Sequence, residues 1–152
     1  FEAAVDWYRK ALAAQDSSDW TWASQYDVVV RAVNWQTDNA PATLTDARAN
    51  VLVHASEPAT LLPLIDYQNG KYAATSGKDL EAGRDALQRY LQTTPGEEDP
   101  GLEWAQFRLA QIERWLGLNE EAQARLAELE AQEYSEDLAF ALKDERRWHY
   151  AD

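Results

Sequence analysis

Carboxylates are the commonest reactive side chains in this sequence: 27 acidic residues stand against 14 basic ones, for a net charge of −13. A general acid–base pair needs two carboxyls held in unlike environments. Most of these carboxylates fall on the polar faces of helical patterns, where simple solvation accounts for them. Glu97, Glu98 and Asp99, with Glu103, offer oxygen ligands but lack the alternating acidic loop and central glycine of a calcium site. His54 and Glu57 share a helical face three residues apart, and the only other histidine is His149, so a zinc-type ligand set is incomplete. Gly70 precedes Ser76-Gly77-Lys78, which invites comparison with a phosphate-cradling loop. That loop needs four residues between its glycines and a Ser or Thr after the lysine. Here six residues intervene and Asp79 follows, placing a carboxylate where phosphate would sit. With no cysteine and no serine in a G-x-S-x-G turn, nucleophilic catalysis lacks its usual starting groups. The residues therefore predict no enzyme, no metal and no cofactor.

The charge balance also bears on partners. Binding a phosphate backbone releases counterions from clustered Lys and Arg. The closest clusters are Arg9–Lys10 and Arg146–Arg147, which read as solvated helix faces, so no nucleic-acid partner is expected. No apolar run approaches the ~20 residues of a membrane-spanning helix. At 152 residues, 45% of them hydrophobic, the chain is expected to form one domain, 1–152, with a continuous core. Phe1 opens inside a helical pattern and no methionine occurs, which predicts a piece of a longer chain that an upstream signal or anchor could precede. The absence of cysteine does not identify the compartment, which stays open between cytoplasm and periplasm.

Apolar spacing supplies about eight helices to position these groups. Phe1 to Ala14 places Ala4, Tyr8 and Ala11 on one face, with Val5 and Leu12 beside it. Trp20 to Trp35, capped by Asp16 or Asp19, turns Trp22, Tyr26, Val29 and Val30 one way. Val28–Val30 would also suit a strand, but no partner strand follows. After a loop at Thr37–Pro41, Thr43 or Thr45 caps a short helix that ends before Pro58. A fourth helix runs from about Leu61 to Ser76, with Pro63 in its first turn, Gly70 marking close packing and Gly77 ending it. Asp79 to Gln92 forms a fifth, followed by an acidic, proline-rich loop at 93–101. Asp99 and Pro100 then start a helical hairpin with two apolar stripes on its first arm: Leu109, Ile112 and Leu116, then Trp104, Phe107 and Trp115. Gly117 closes that arm and Asn119 caps the next, whose stripe is Ala122, Leu126 and Leu129. A charged eighth helix, from Ser135 or Glu136 towards Trp148, shields the end.

The segment 76–91 aligns without a gap on 116–131, pairing Gly77 with Gly117, Glu81 with Glu121, Ala82 with Ala122 and Ala86 with Leu126, an offset of 40 residues. With Leu109 and Ala110, these residues resemble the tetratricopeptide repeat family, whose unit is a ~34-residue helix-turn-helix. FEAAVDWYRKAL at the start is similar to the second helix of such a unit. The longer offset places extra connection in the acidic loop.

The resemblance implies an all-α, right-handed array of antiparallel helix pairs. It further implies a non-catalytic scaffold that holds a peptide or partner protein, or joins subunits within a bacterial assembly. In that family the first helix of each pair lines a groove. Carried onto this sequence, the groove-facing candidates are Tyr67, Lys71, Trp104, Phe107, Arg108, Gln111 and Arg114. Trp104 and Phe107 could equally fill the interface with the preceding repeat. The three cations could hold a peptide carboxylate or be paired with neighbouring acids. Trp20, Trp22, Trp35, Trp104 and Trp115 are many for tightly packed helices, which keeps a second function open. In it, the tryptophans stack a sugar or aromatic ligand beside a catalytic module elsewhere in a longer chain. Self-association is a third.

Overall fold

The computed structural model describes residues 1–93 and 100–151. They form eight helices: α1 (Glu2–Ala13), α2 (Trp22–Asn34), α3 (Ala40–His54), α4 (Pro58–Ser76), α5 (Leu80–Thr93), α6 (Pro100–Trp115), α7 (Asn119–Glu130) and α8 (Glu136–His149). No strand occurs among the described residues. The valine run at 28–30 is helical because Val28 and Val29, with Ala32 and Val33, are buried against neighbouring helices, and packing overrides their strand propensity. The proposed cap Asp99 and the carboxylates Glu97 and Glu98 lie outside the described residues.

Three apolar clusters run through the helices in sequence. The first joins α1 to α4, the second α4 to α6, and the third α6 to α8. Two helices are shared between clusters. Ile65 and Tyr72 of α4 face the first and Ala73 and Ala74 the second; Leu109 and Ile112 of α6 face the second and Phe107 and Ala110 the third. The stripe Leu109, Ile112 and Leu116 therefore faces the second cluster and Trp104 with Phe107 the third, whereas Trp115, expected beside them, lies on Ala74 and Gly77 of α4 and is 46% exposed. α4 packs on α2, α3, α5 and α6, whereas α1 packs mainly on α2.

Glycines stand at two of the helix connections. Gly77 (φ 73°) ends α4 and Gly117 (φ 80°) follows α6, both in the left-handed region where a Cβ is disfavoured. Gly70 has a different task, since a Cβ there would meet Leu87 Cγ of α5 at 2.1 Å. Gly83 brings the same two helices together from the other side, with a Cβ position 2.2 Å from that of Ala73. The sequence pointed to Gly70 and missed Gly83.

Several helix ends differ from expectation. Thr21, rather than Asp16 or Asp19, caps α2 by accepting from the Ser24 N–H. α3 starts at Ala40 with Pro41 in its first turn, so Thr43 and Thr45 are interior and donate to the carbonyls of Asn39 and Pro41. α4 starts at Pro58, leaving Pro63 beyond the first turn. Asn119 is the first residue of α7, and Leu118 precedes it without a side-chain cap. Ser135 caps α8 as expected, accepting from Leu138 N–H. In α1 the inward face is Val5, Tyr8 and Leu12; Ala4 and Ala11 are exposed.

Candidate partner-binding groove

An open cleft of about 590 Å³ lies between α6 and α8. Four of the groove candidates, Trp104, Phe107, Arg108 and Gln111, line its α6 wall, which is what i, i+3, i+4 and i+7 spacing produces on one helix. Phe107 is 2% exposed and belongs to the third cluster, so it forms the floor. Trp104 meets it edge-on at 5.8 Å between centroids and stays partly open. The Arg108 guanidinium lies over both rings, 5.3 Å from Trp104 and 5.6 Å from Phe107. Its Nη1 donates to Gln111 Oε1 at 3.0 Å, while its Nε is buried without a partner.

The opposite wall comes from α8. Phe140 is 74% exposed and Trp148 68% exposed, both on the cleft, with Ala141 deeper between them. Asp137 and Asp144 stand on the same wall, and Asp144 accepts the Trp148 indole N–H at 3.2 Å. At the base, Glu145 is buried and accepts from Arg114 Nε at 2.6 Å and from Gln111 Nε2 at 3.3 Å. Arg114 is thus committed to an internal ion pair, and it does not line the cleft.

The remaining two candidates sit on α4, beside Arg108. The Tyr67 hydroxyl has its pKa raised by burial, an effect that the nearby Arg108 charge opposes. Its ring leans on Tyr90, 5.8 Å away. Lys71 donates to Asn34 Oδ1 at 2.9 Å, and burial, reinforced by Arg108, lowers its ammonium pKa. The seven candidates therefore separate into a cleft wall of four, an adjoining pair on α4, and Arg114 behind the wall. The α8 residues were missed. Their signal was two aromatics, Phe140 and Trp148, in excess of the stripe Leu138, Ala141 and Leu142 that already anchors the helix.

Other reactive groups are held locally. Lys78 pairs with Asp38 at 2.7 Å, a contact that lowers the Asp38 pKa and raises that of Lys78. Ser76 Oγ donates to the Tyr72 carbonyl and accepts from the Lys78 N–H. His54 stacks on Trp20 at 5.5 Å. Among the described residues no group of three His, Cys, Asp or Glu could hold a metal ion. A second cleft of about 320 Å³ contains Asp66, which accepts from Arg48 and Arg89 on the same oxygen. No helix among the described residues is long and apolar enough to cross a membrane. Compared with known protein families, curated proteins and solved structures, the chain matches none.

Proposed function

We propose that this chain is a non-catalytic interaction domain, built as a tetratricopeptide-like array of helix pairs, whose α6/α8 cleft holds a peptide or partner protein. Alternating contacts of α4 and α6 with helices on either side, and glycine corners after each, support the array. The observation that carries the function is the pair of exposed aromatics, Phe140 and Trp148, facing the Trp104–Phe107–Arg108 wall across open space. Burying a large apolar side chain is worth about 1.5–3 kcal/mol, and aromatic and arginine side chains are the usual anchors of interfaces. A partner seated here gains from both walls without rearranging either.

The test is selection of peptides from a random display library on the immobilised protein, followed by titration of the selected peptides against wild type, Phe140→Ser and Trp148→Ser. The reading predicts shifted tryptophan emission and affinity losses of about tenfold or more in both variants. Peptides that bind wild type and variants equally would place recognition elsewhere. Emission shifts with small saccharides and none with peptides would move the function to ligand stacking by the tryptophans.

A further inference from the structure

The smaller cleft, among α3, α4 and α5, shares no lining residue with the α6/α8 groove, and its volume of about 320 Å³ suits a small molecule. We propose that it binds a small zwitterion, a carboxylate and an amine joined by a short apolar chain, with the carboxylate on Arg48 and Arg89 and the amine at Asp79. Such a site is independent of whether the α6/α8 groove takes a peptide.

Asp66 of α4 is buried, and its Oδ1 accepts from Arg48 Nη1 of α3 at 3.4 Å and from Arg89 Nη2 of α5 at 3.1 Å. A strong arginine–carboxylate pair makes two parallel bonds of about 2.7–2.9 Å. Here each guanidinium makes one long bond, and neither has another ion pair among the described residues. Both side chains line the cleft and are nearly half exposed, at 43% and 47%. Each guanidinium carries five N–H donors, so most of them are left for a ligand. Because both reach one oxygen of Asp66, a second carboxylate can bridge them, while Asp66 offsets their mutual repulsion.

Helix rise gives the cleft its length. Pro41 and Arg48 of α3 line it seven residues apart, as do Ala82 and Arg89 of α5, a span of about 10 Å. Leu44, Ile65 and Tyr72, all buried, supply an apolar floor. At the far end the Asp79 charge reaches the Tyr72 hydroxyl. Lys78 beside it is taken by Asp38, whose backbone N–H donates to Glu2, so acid outweighs base there. Near the arginines, Asp46 is paired with Arg9, and Asp85 is exposed, outside the cleft and unpaired with Arg89. Neither takes the free guanidinium donors. An anion at one end and a cation at the other therefore answer both ends, whereas a second carboxylate would meet Asp79. A chain of about five methylene groups covers the floor and leaves room for a hydrogen bond at each end.

Calorimetric titration of the whole chain with 6-aminohexanoate, hexanoate and adipate, followed in parallel by amide NMR shifts, tests the proposal. For a ligand of this size the expected 6-aminohexanoate Kd is about 1 mM or tighter. Hexanoate is expected to bind about tenfold more weakly and adipate more weakly still, with the shifts gathered on α3, α4 and α5. Asp79→Asn is expected to bring 6-aminohexanoate down to the level of hexanoate. Asn tolerates the positive φ of residue 79 (50°), so the variant keeps the backbone. Arg89→Lys keeps a cation beside Asp66 but loses the planar fork, and is expected to weaken both ligands about tenfold with the helical circular dichroism unchanged. No binding of any of the three at about 10 mM, equal binding of the three, or shifts confined to other helices overturns the proposal. So does an Asp79→Asn protein that still prefers the amine.

Discussion

Trp115, the last residue of α6, donates its indole N–H to the carbonyl of Ala74 near the end of α4, at 2.8 Å. Its ring covers the corner at Gly77, where an added Cβ would stand 3.2 Å from three ring carbons. Two penalties therefore coincide at Gly77, a left-handed backbone and a ring that would have to move. Gly117 has nearly the same φ, but nothing lies within 4 Å of its would-be Cβ. Gly117→Ala is expected to cost only the conformational term, about 1–2 kcal/mol. Gly77→Ala should cost measurably more, and in a Trp115→Ala background, measured against Trp115→Ala alone, its cost should fall towards that of Gly117→Ala. Urea unfolding of these variants and wild type checks the order; equal losses at the two glycines in the otherwise unchanged chain would show that the ring yields freely.

The approach of α4 to α5 makes a second prediction. A methyl at residue 70 would occupy space held by the Leu87 side chain, so Gly70→Ala is expected to cost about 3 kcal/mol or more. Leu87→Ala alone opens a cavity and should cost about 2–5 kcal/mol. Because each change answers the other, the double variant should be less destabilised than the sum, with a coupling of about 1–3 kcal/mol. Gly83→Ala should be rescued only by Ala73→Gly, since its nearest neighbour is the Cβ of Ala73, and that change itself costs about 1 kcal/mol inside a helix. Additive losses at residues 70 and 87 would mean that the helices slide apart instead.

How far these features could be read in advance depends on how local their cause is. Helix identity, Gly77 and Gly117 were legible because periodicity and a chain reversal act within a few residues. Gly83 was not, because its reason is Ala73 on another helix. Pro41 read as loop although proline is tolerated in a first turn, and Thr43 and Thr45 read as caps because hydroxyls look alike whether they cap a helix or back-bond inside one. In the groove, four spaced residues of α6 were visible from spacing together with the family resemblance. Which face of α8 opposes them depends on how α8 lies across α6, and sequence periodicity does not encode that angle. Whether Arg114 was free or paired stayed open in the sequence because Glu145, its partner, lies 31 residues away.

Lys71 gives the fold a pH dependence of known sign. Burial lowers its folded pKa below the usual lysine value, so in the window between the two the unfolded chain binds more protons. Its contribution to stability therefore rises with pH across that window. The penalty is fully present below the folded pKa and gone above the unfolded one. Lys71→Met removes the penalty along with the hydrogen bond to Asn34. Relative to this variant, wild type is expected to gain stability as the pH rises from 7 towards about 11. Thermal melts of both proteins across that range decide it. A constant offset at every pH would assign the effect to packing.

The ion pair between Arg125 of α7 and Glu113 of α6 supplies the sharpest electrostatic prediction. Three contacts of 2.8–3.2 Å hold the carboxylate, and the Glu113 side chain is 4% exposed. Removing one partner of such a pair strands a buried charge, so Arg125→Met is expected to cost about 3–5 kcal/mol. Glu113→Gln in that background replaces the charge with a neutral amide of the same shape and should recover much of the loss. Arg146 and Glu130 make contacts of similar length, 3.1 and 3.2 Å, but with side chains 30% and 36% exposed, so water already solvates them. Arg146→Met should therefore cost no more than about 1 kcal/mol. Denaturant titrations of these three variants against wild type measure the contrast. Were Arg125→Met as mild as Arg146→Met, the Glu113 carboxylate would have to be reached by water once its partner is gone.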